Sequence, residues 1–187
     1  MLTWRKQRSE LNLPNLEIFG GKDCEAVTTT PKHGEGFALG DIAVKGLHTP
    51  CHTQDSICWF AQDGDDRVVF TGDTLFHGGC GKFFEGNGAE MHRALNVTLA
   101  SLPDDTRVFV GPFPSRRGGE GPRATLTGNQ PGHEYTKSNA KFAISVLQSE
   151  PVRKLQEFAA QHKETQGKFT IGDEKASKLA LRTAYGF

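Results

Sequence analysis

The sequence predicts an α+β fold: a mixed β-sheet with helices laid over an outer face. Two observations carry that prediction. Residues 16–72 break into short β-branched and aromatic runs separated by Gly- and Asp-rich turns. From residue 90 onward apolar side chains recur at helical spacing, with one strand-like run between the helices. Strands first, then strand–helix alternation, is the pattern of a sheet whose helices gather on one side.

The elements follow in order. Thr3 is placed to cap a short amphipathic helix through Leu11, stopped before Pro14. Leu16–Phe19 reads as a short strand into Gly20-Gly21. Gly36–Leu39 and Ile42–Leu47 flank Gly40-Asp41 and predict a hairpin. Ile57–Ala61 and Arg67–Thr71 flank Asp63-Gly64-Asp65-Asp66 and predict a second. Glu90–Leu102 spaces Met91, Ala94, Leu95, Leu99 and Leu102 as one helix, ended by Pro103. Arg107–Val110 is a short buried-type strand. Lys137–Gln148 and Val152–His162 are further helices, with Pro151 opening the second. Residues 112–132 hold four Pro, five Gly and a single aliphatic residue larger than Ala, Leu126. Such a stretch buries too little apolar surface to offset its ordering entropy and reads as a disordered insertion. The expected organisation is one partial hydrolase domain over 1–175 and a divergent tail over 176–187.

Composition narrows the function. The chain has 187 residues, enough for one real core, and its 22 Lys and Arg balance its 22 Asp and Glu. A near-zero net charge gives no footprint for nucleic acid or an anionic membrane surface. No apolar run is long enough for a signal peptide or a membrane span, so the expected compartment is the cytoplasm. A mitochondrial form stays open if the N-terminus is incomplete. Cys24, Cys51, Cys58 and Cys80 form no C-x-x-C pair and read as reduced thiols, with Cys51 and Cys80 buried near the site.

The most informative residues are LHTPCH at 47–52 and VVFTGDTLFHGGCGKFFEG at 68–86. His52 sits in a Pro turn. Asp73 follows a β-branched run that places its side chain at a strand's carboxyl edge. A second imidazole, His133, arrives far downstream in GHEYT. Two imidazoles and a carboxylate suit Zn²⁺ or Fe²⁺. No His-x-His cluster lies upstream of them.

Together HTPCHTQDSICWF, VVFTGDTLF, GCGKFFEG and GHEYTKSNAKFA resemble glyoxalase II, the hydroxyacylglutathione hydrolases of the metallo-β-lactamase superfamily. The likeness runs from about Leu11 to Asp173, apart from the insertion. It implies part of a four-layer αββα sandwich, in which mixed sheets are flanked by helices. It also implies a site for two zinc ions, with iron or a mixed pair as alternatives. His52 would bind the first metal, His133 the second, and Asp73 would bridge both. Lys82, Phe83, Phe84, His133, Glu134 and Tyr135 align with positions that contact glutathione. The implied reaction is hydrolysis of S-D-lactoylglutathione to D-lactate and glutathione, a step of methylglyoxal detoxification. No protein partner is implied.

The chemistry fits those residue types. A metal lowers the pKa of bound water from 15.7 to about 7, which supplies hydroxide at neutral pH. Lys82 suits a glycine carboxylate, and the Tyr135 hydroxyl suits the glutathione backbone. Phe76, Phe83 and Phe84 read as core packing around the site. His77 falls where the family usually has an apolar residue, and Phe84 where it often has Tyr. The family's T-H-x-H-x-D-H motif lies upstream of a segment like Met1–Leu11, so this chain looks cut at both ends. Each metal would then receive one His and a share of Asp73, where a catalytic zinc usually takes about three protein donors. The chain alone is therefore expected to bind metal weakly and turn over little. The rival reading is a catalytically inactive fragment or isoform of the same family.

Overall fold

A computed structural model describes residues 13–111 and 135–177. The expected N-terminal helix and the 112–132 segment lie outside these residues, and so does the tail beyond Ser177.

The core element is a five-stranded sheet. Its strands are β1 (Gly36–Leu39), β2 (Ile42–His48), β3 (Ile57–Asp63), β4 (Asp66–Gly72) and, after a two-stranded ribbon and a helix, β7 (Arg107–Val110). They lie in the order β1-β2-β3-β4-β7. The first three pairings are antiparallel and β4–β7 is parallel. Both predicted hairpins form; β1 has the predicted bounds, and β2, β3 and β4 run one or two residues past theirs. β4 and β7 pair in parallel because a helix intervenes and returns the chain to the same end of the sheet. The ribbon is β5 (Leu75–Phe76) with β6 (Gly79–Cys80), and its brevity hid it in the sequence.

Leu16–Phe19 does not form a strand. Its pairing is one bridge, Phe19 to Thr29. The Thr28 hydroxyl takes the Ile18 N–H at 2.8 Å, a slot that a partner strand's carbonyl would fill in a ladder.

The predicted helix over 90–102 is helical with three different turns. It starts as α1 (Gly88–His92), widens to a π segment (Arg93–Thr98) and tightens to a 3₁₀ turn (Leu99–Ser101). Ala94 and Leu99 are both buried and lie five residues apart. A regular α-helix would rotate them onto different faces; the wider π turn keeps both on the core. Asn87 caps α1 through the Ala89 and Glu90 amides, and Glu90 returns a bond to the Asn87 amide at 2.9 Å.

α2 (Thr136–Val146) and α3 (Glu150–Gln161) pack together through Ala140, Ala143, Val152, Leu155 and Ala159. Pro151 stands in the first turn of α3, as its fixed φ and missing N–H favour. The following chain runs beside β7. Gly167 donates to Val108 O, Val108 donates to Phe169 O, and Ile171 donates to Thr106 O, each at 2.9 Å. This covers the β7 edge and leads into a helical turn over 171–177.

The two sheet faces differ. One carries Leu47, Cys58, Phe60, Val69 and Val108, which join Leu75, Phe76, Leu99, Val110 and Ile171 in the main core. Val69 and Val108 are fully buried, worth about 1.5–3 kcal/mol each. The other face presents Phe37, Val44, Trp59, Ala61, Val68 and Phe70 along an open groove of about 540 Å³. The fold is thus α+β, as predicted, with helices on one side of a mixed sheet.

Candidate functional site

The site lies at one end of the sheet, where β2 leaves and β4 ends. The β2–β3 loop is held by its own bonds: Thr49 N–H to Ser56 O at 2.9 Å, Cys51 N–H to Thr53 O at 3.1 Å, and the Thr53 and Ser56 hydroxyls at 2.8 Å. At the end of β4, Gly72 has φ +50°, a conformation that favours Gly and turns the chain at Asp73. Buried threonines join the two loops. Thr49 Oγ1 meets Thr74 Oγ1 at 2.9 Å and Cys58 Sγ at 3.3 Å, while Thr71 Oγ1 donates to Leu75 O at 2.9 Å.

This scaffold brings His52 and Asp73 together. His52 Nε2 lies 3.7 Å from Asp73 Oδ2, with 21% and 27% of the side chains exposed. That separation is too long for a hydrogen bond between them. His52 Nδ1 lies 2.9 Å from Lys82 O. A carbonyl only accepts, so Nδ1 carries the proton and Nε2 points its lone pair towards the Asp73 side. Gly81 fits between them: a Cβ there would overlap Asp73 O and stand 3.0 Å from His52 Nδ1.

The Lys82–Gly86 loop is pinned to the His52 loop. Gly86 N–H donates to Cys51 O at 2.9 Å, Gln54 N–H to Glu85 Oε2 at 2.6 Å, and Gln54 Nε2 to Glu90 Oε1 at 3.3 Å. Lys82 Nζ sits 4.9 Å from the Phe84 ring centre, and that ring meets His52 edge-on at 5.0 Å. Phe83 and Phe84 are 43% and 65% exposed, so they line the surface, and only Phe76 belongs to the core. The expected core role of Phe83 and Phe84 fails because a Gly-rich loop carries them outward past the sheet end. Tyr135 is half exposed and packs edge-on against Phe76 at 5.5 Å.

His133 and Glu134 lie outside the described residues. Among the described residues no group of three His, Cys, Asp or Glu side chains is arranged to hold a metal ion. His52 and Asp73 provide two donors on one side, which suits adjacent corners of a tetrahedral site.

The cysteines divide differently from the expectation. Cys51 and Cys58 are buried, whereas Cys80 is exposed at the mouth of the ribbon. Burial pushes the Cys58 thiol up to about 11, and burial is also the main cause that raises Cys51 and Cys24.

Sequence reasoning missed the threonine bracing and a second histidine pair. The threonines flank the ligand motifs in HTPCHT and TGDT, so their position was a usable signal. The second pair is His77 with Glu174, separated by 97 positions, and no local pattern announces it.

A model of the metallo-beta-lactamase superfamily matches residues 7–111, and one of the hydroxyacylglutathione hydrolase C-terminus matches 134–185. The second match crosses the expected tail boundary at 176. A Schizosaccharomyces pombe protein named probable hydroxyacylglutathione hydrolase glo2 is 48% identical over 87% of this chain and 55% of its own length. A second S. pombe protein, also named a probable hydroxyacylglutathione hydrolase, is 43% identical over 90% of this chain and 58% of its own. The cytoplasmic hydroxyacylglutathione hydrolase isozyme of Saccharomyces cerevisiae is 38% identical over 85% of this chain and 55% of its own. The chain therefore spans about half the length of the curated relatives it matches. With its mixed sheet and the His52–Asp73 pair at the sheet end, the chain belongs to the metallo-beta-lactamase superfamily and is similar, across both matched regions, to hydroxyacylglutathione hydrolases.

Proposed function

We propose that the chain acts in hydrolysis of hydroxyacylglutathione thioesters, S-D-lactoylglutathione plus water giving D-lactate and glutathione. The observation that carries this reading is the His52–Asp73 pair at 3.7 Å, with the His52 tautomer set by Lys82 O. His52 and Asp73, joined by His133, are the residues to hold a divalent metal, with zinc first and iron second. The ion supplies Lewis acidity and a water of lowered pKa for attack on a thioester carbonyl.

The chain's own residues then bind and orient. Lys82 offers its ammonium to a glutathione carboxylate and is steadied over the Phe84 ring. Phe83, Phe84 and Tyr135 present half-exposed rings for the apolar and amide parts of the peptide. Glu134 completes the substrate-facing set. The proposed partner is the small-molecule thioester, and the proposed compartment is the cytoplasm. Relatives carry both cytoplasmic and mitochondrial names, and no described helix is long and apolar enough to cross a membrane.

One observation favours the rival, a catalytically inactive family member. Among the described residues only two donors converge. The full chain, titrated with Zn²⁺ and assayed for thioester loss at its ultraviolet band, separates the readings. Turnover that rises with bound zinc and vanishes in Asp73→Ala supports the hydrolase. A chain that takes up no zinc, is partly unfolded and shows no turnover supports the rival.

A further inference from the structure

His77 is fully buried at the turn between β5 and β6. Its Nδ1 lies 2.6 Å from Glu174 Oε1, and Glu174 Oε2 accepts the Gly78 N–H at 3.3 Å. One carboxylate thus takes two donors from one turn. Asn139 Nδ2 on α2 donates to His77 O at 3.1 Å. Gly78 approaches Leu155 of α3 so closely that a Cβ would stand 2.8 Å from its Cδ2. Phe169 closes the remaining side, its ring centre 4.9 Å from that of His77. The tip of this ribbon is gripped from α2, from α3 and from the 171–177 helix.

The ribbon matters because of what stands at its base. It leaves directly from Asp73-Thr74 and returns directly to Gly81-Lys82. Gly81 packs on the Asp73 carbonyl, and Lys82 O fixes the His52 ring. Moving the tip therefore moves Asp73 and the carbonyl that sets the His52 tautomer together. The ribbon lies in the first matched region, and its grips lie in the second.

We propose that His77 and Glu174 are positioning residues: a buried clamp through which the C-terminal helices set the geometry of the His52–Asp73 pair. The metal arm of the test rests on the reading of that pair as a metal site; the metal-free arm does not. A carboxylate with two fixed donors holds one geometry, whereas an apolar contact at the same place permits sliding.

The experiment uses the full chain with three variants: Asp73→Ala, Glu174→Ala, and the double variant His77→Leu with Glu174→Leu. The double variant keeps the site filled and apolar, and serves if Glu174→Ala does not fold. The first readout is the histidine ring ¹H–¹⁵N correlation spectrum without metal. The clamp predicts that His52 Nδ1 and Nε2 shifts change in each folded clamp variant, as the ring leaves the Lys82 carbonyl. His52 shifts identical to wild type in a folded clamp variant overturn the clamp, whatever the metal does. The second readout is Zn²⁺ affinity against a chromophoric chelator, well below the unfolding temperature. The clamp predicts a loss of about 10–100-fold in the clamp variants. A purely structural role lowers the unfolding temperature and leaves both readouts of the folded chain unmoved, which also overturns it. If Asp73→Ala binds zinc as wild type does, the metal reading falls, and the metal-free spectrum alone decides the clamp.

Discussion

His52 and Asp73 stand 3.7 Å apart, with a fifth to a quarter of each side chain in solvent. His77 and Glu174 stand 2.6 Å apart, with 0% and 5% exposed. The same two chemical groups, an imidazole and a carboxylate, therefore build opposite objects. The open pair satisfies its imidazole elsewhere, at Lys82 O, and keeps a lone pair and a carboxylate uncommitted to each other. The closed pair commits both carboxylate oxygens to one turn. A binding site needs polar groups that solvent can reach, whereas the joint commits its carboxylate to buried donors and leaves only the second ring nitrogen of that imidazole, His77 Nε2, buried without a partner among the described residues.

Replacing one member of each pair sharpens that contrast. Asp73→Ala is expected to lower zinc affinity by more than the about 100-fold that loss of an outer partner costs, with little change in folding. Chelator competition and a thermal melt check both halves. Glu174→Ala is expected to destabilise the chain by about 3 kcal/mol, since it strands a buried imidazole and the Gly78 amide. A shift of the urea midpoint at constant m-value measures it.

Cys58, beneath the open pair, adds a pH test. Its thiol is raised from 9.0 to about 11. Between those values the unfolded chain has released the proton and the folded chain still holds it. Unfolding is therefore favoured as pH climbs, so stability falls from about pH 9 to about pH 11. Urea midpoints across that window should decline more steeply in the wild type than in Cys58→Ala, where the raised Cys24 and Cys51 thiols remain. The smallest expected effect is Asn87→Ala, which removes the cap on α1 and costs about 1 kcal/mol. It should leave the closed pair untouched, because the capped helix lies under the Lys82–Gly86 loop and not under the ribbon tip.

Much of this was legible locally. Turn chemistry at Gly40-Asp41 and Asp63–Asp66 fixed both hairpins, and Pro151 marked the start of α3. Failures came where a nearby polar group competed with the ladder, as the Thr28 hydroxyl does at Ile18. They also came where burial asked for a different helical pitch, as at Ala94 and Leu99. His52 and Asp73 were readable because each sits inside a recognisable motif, His52 in the β2–β3 loop and Asp73 directly after β4. Their 3.7 Å separation was not, since it depends on three buried threonines and on the closeness of Gly81.

The sequence by itself determined the two hairpins, the start of α3 and which side chains have the chemistry of ligands. Those properties reside in periodicity, composition and residue type, each readable within a few positions. Tertiary structure alone decided that Phe83 and Phe84 face outward, that Cys80 is exposed, and that His77 meets a carboxylate from the far end of the chain. Such contacts arise when packing closes long loops, and no local pattern encodes which distant groups will meet.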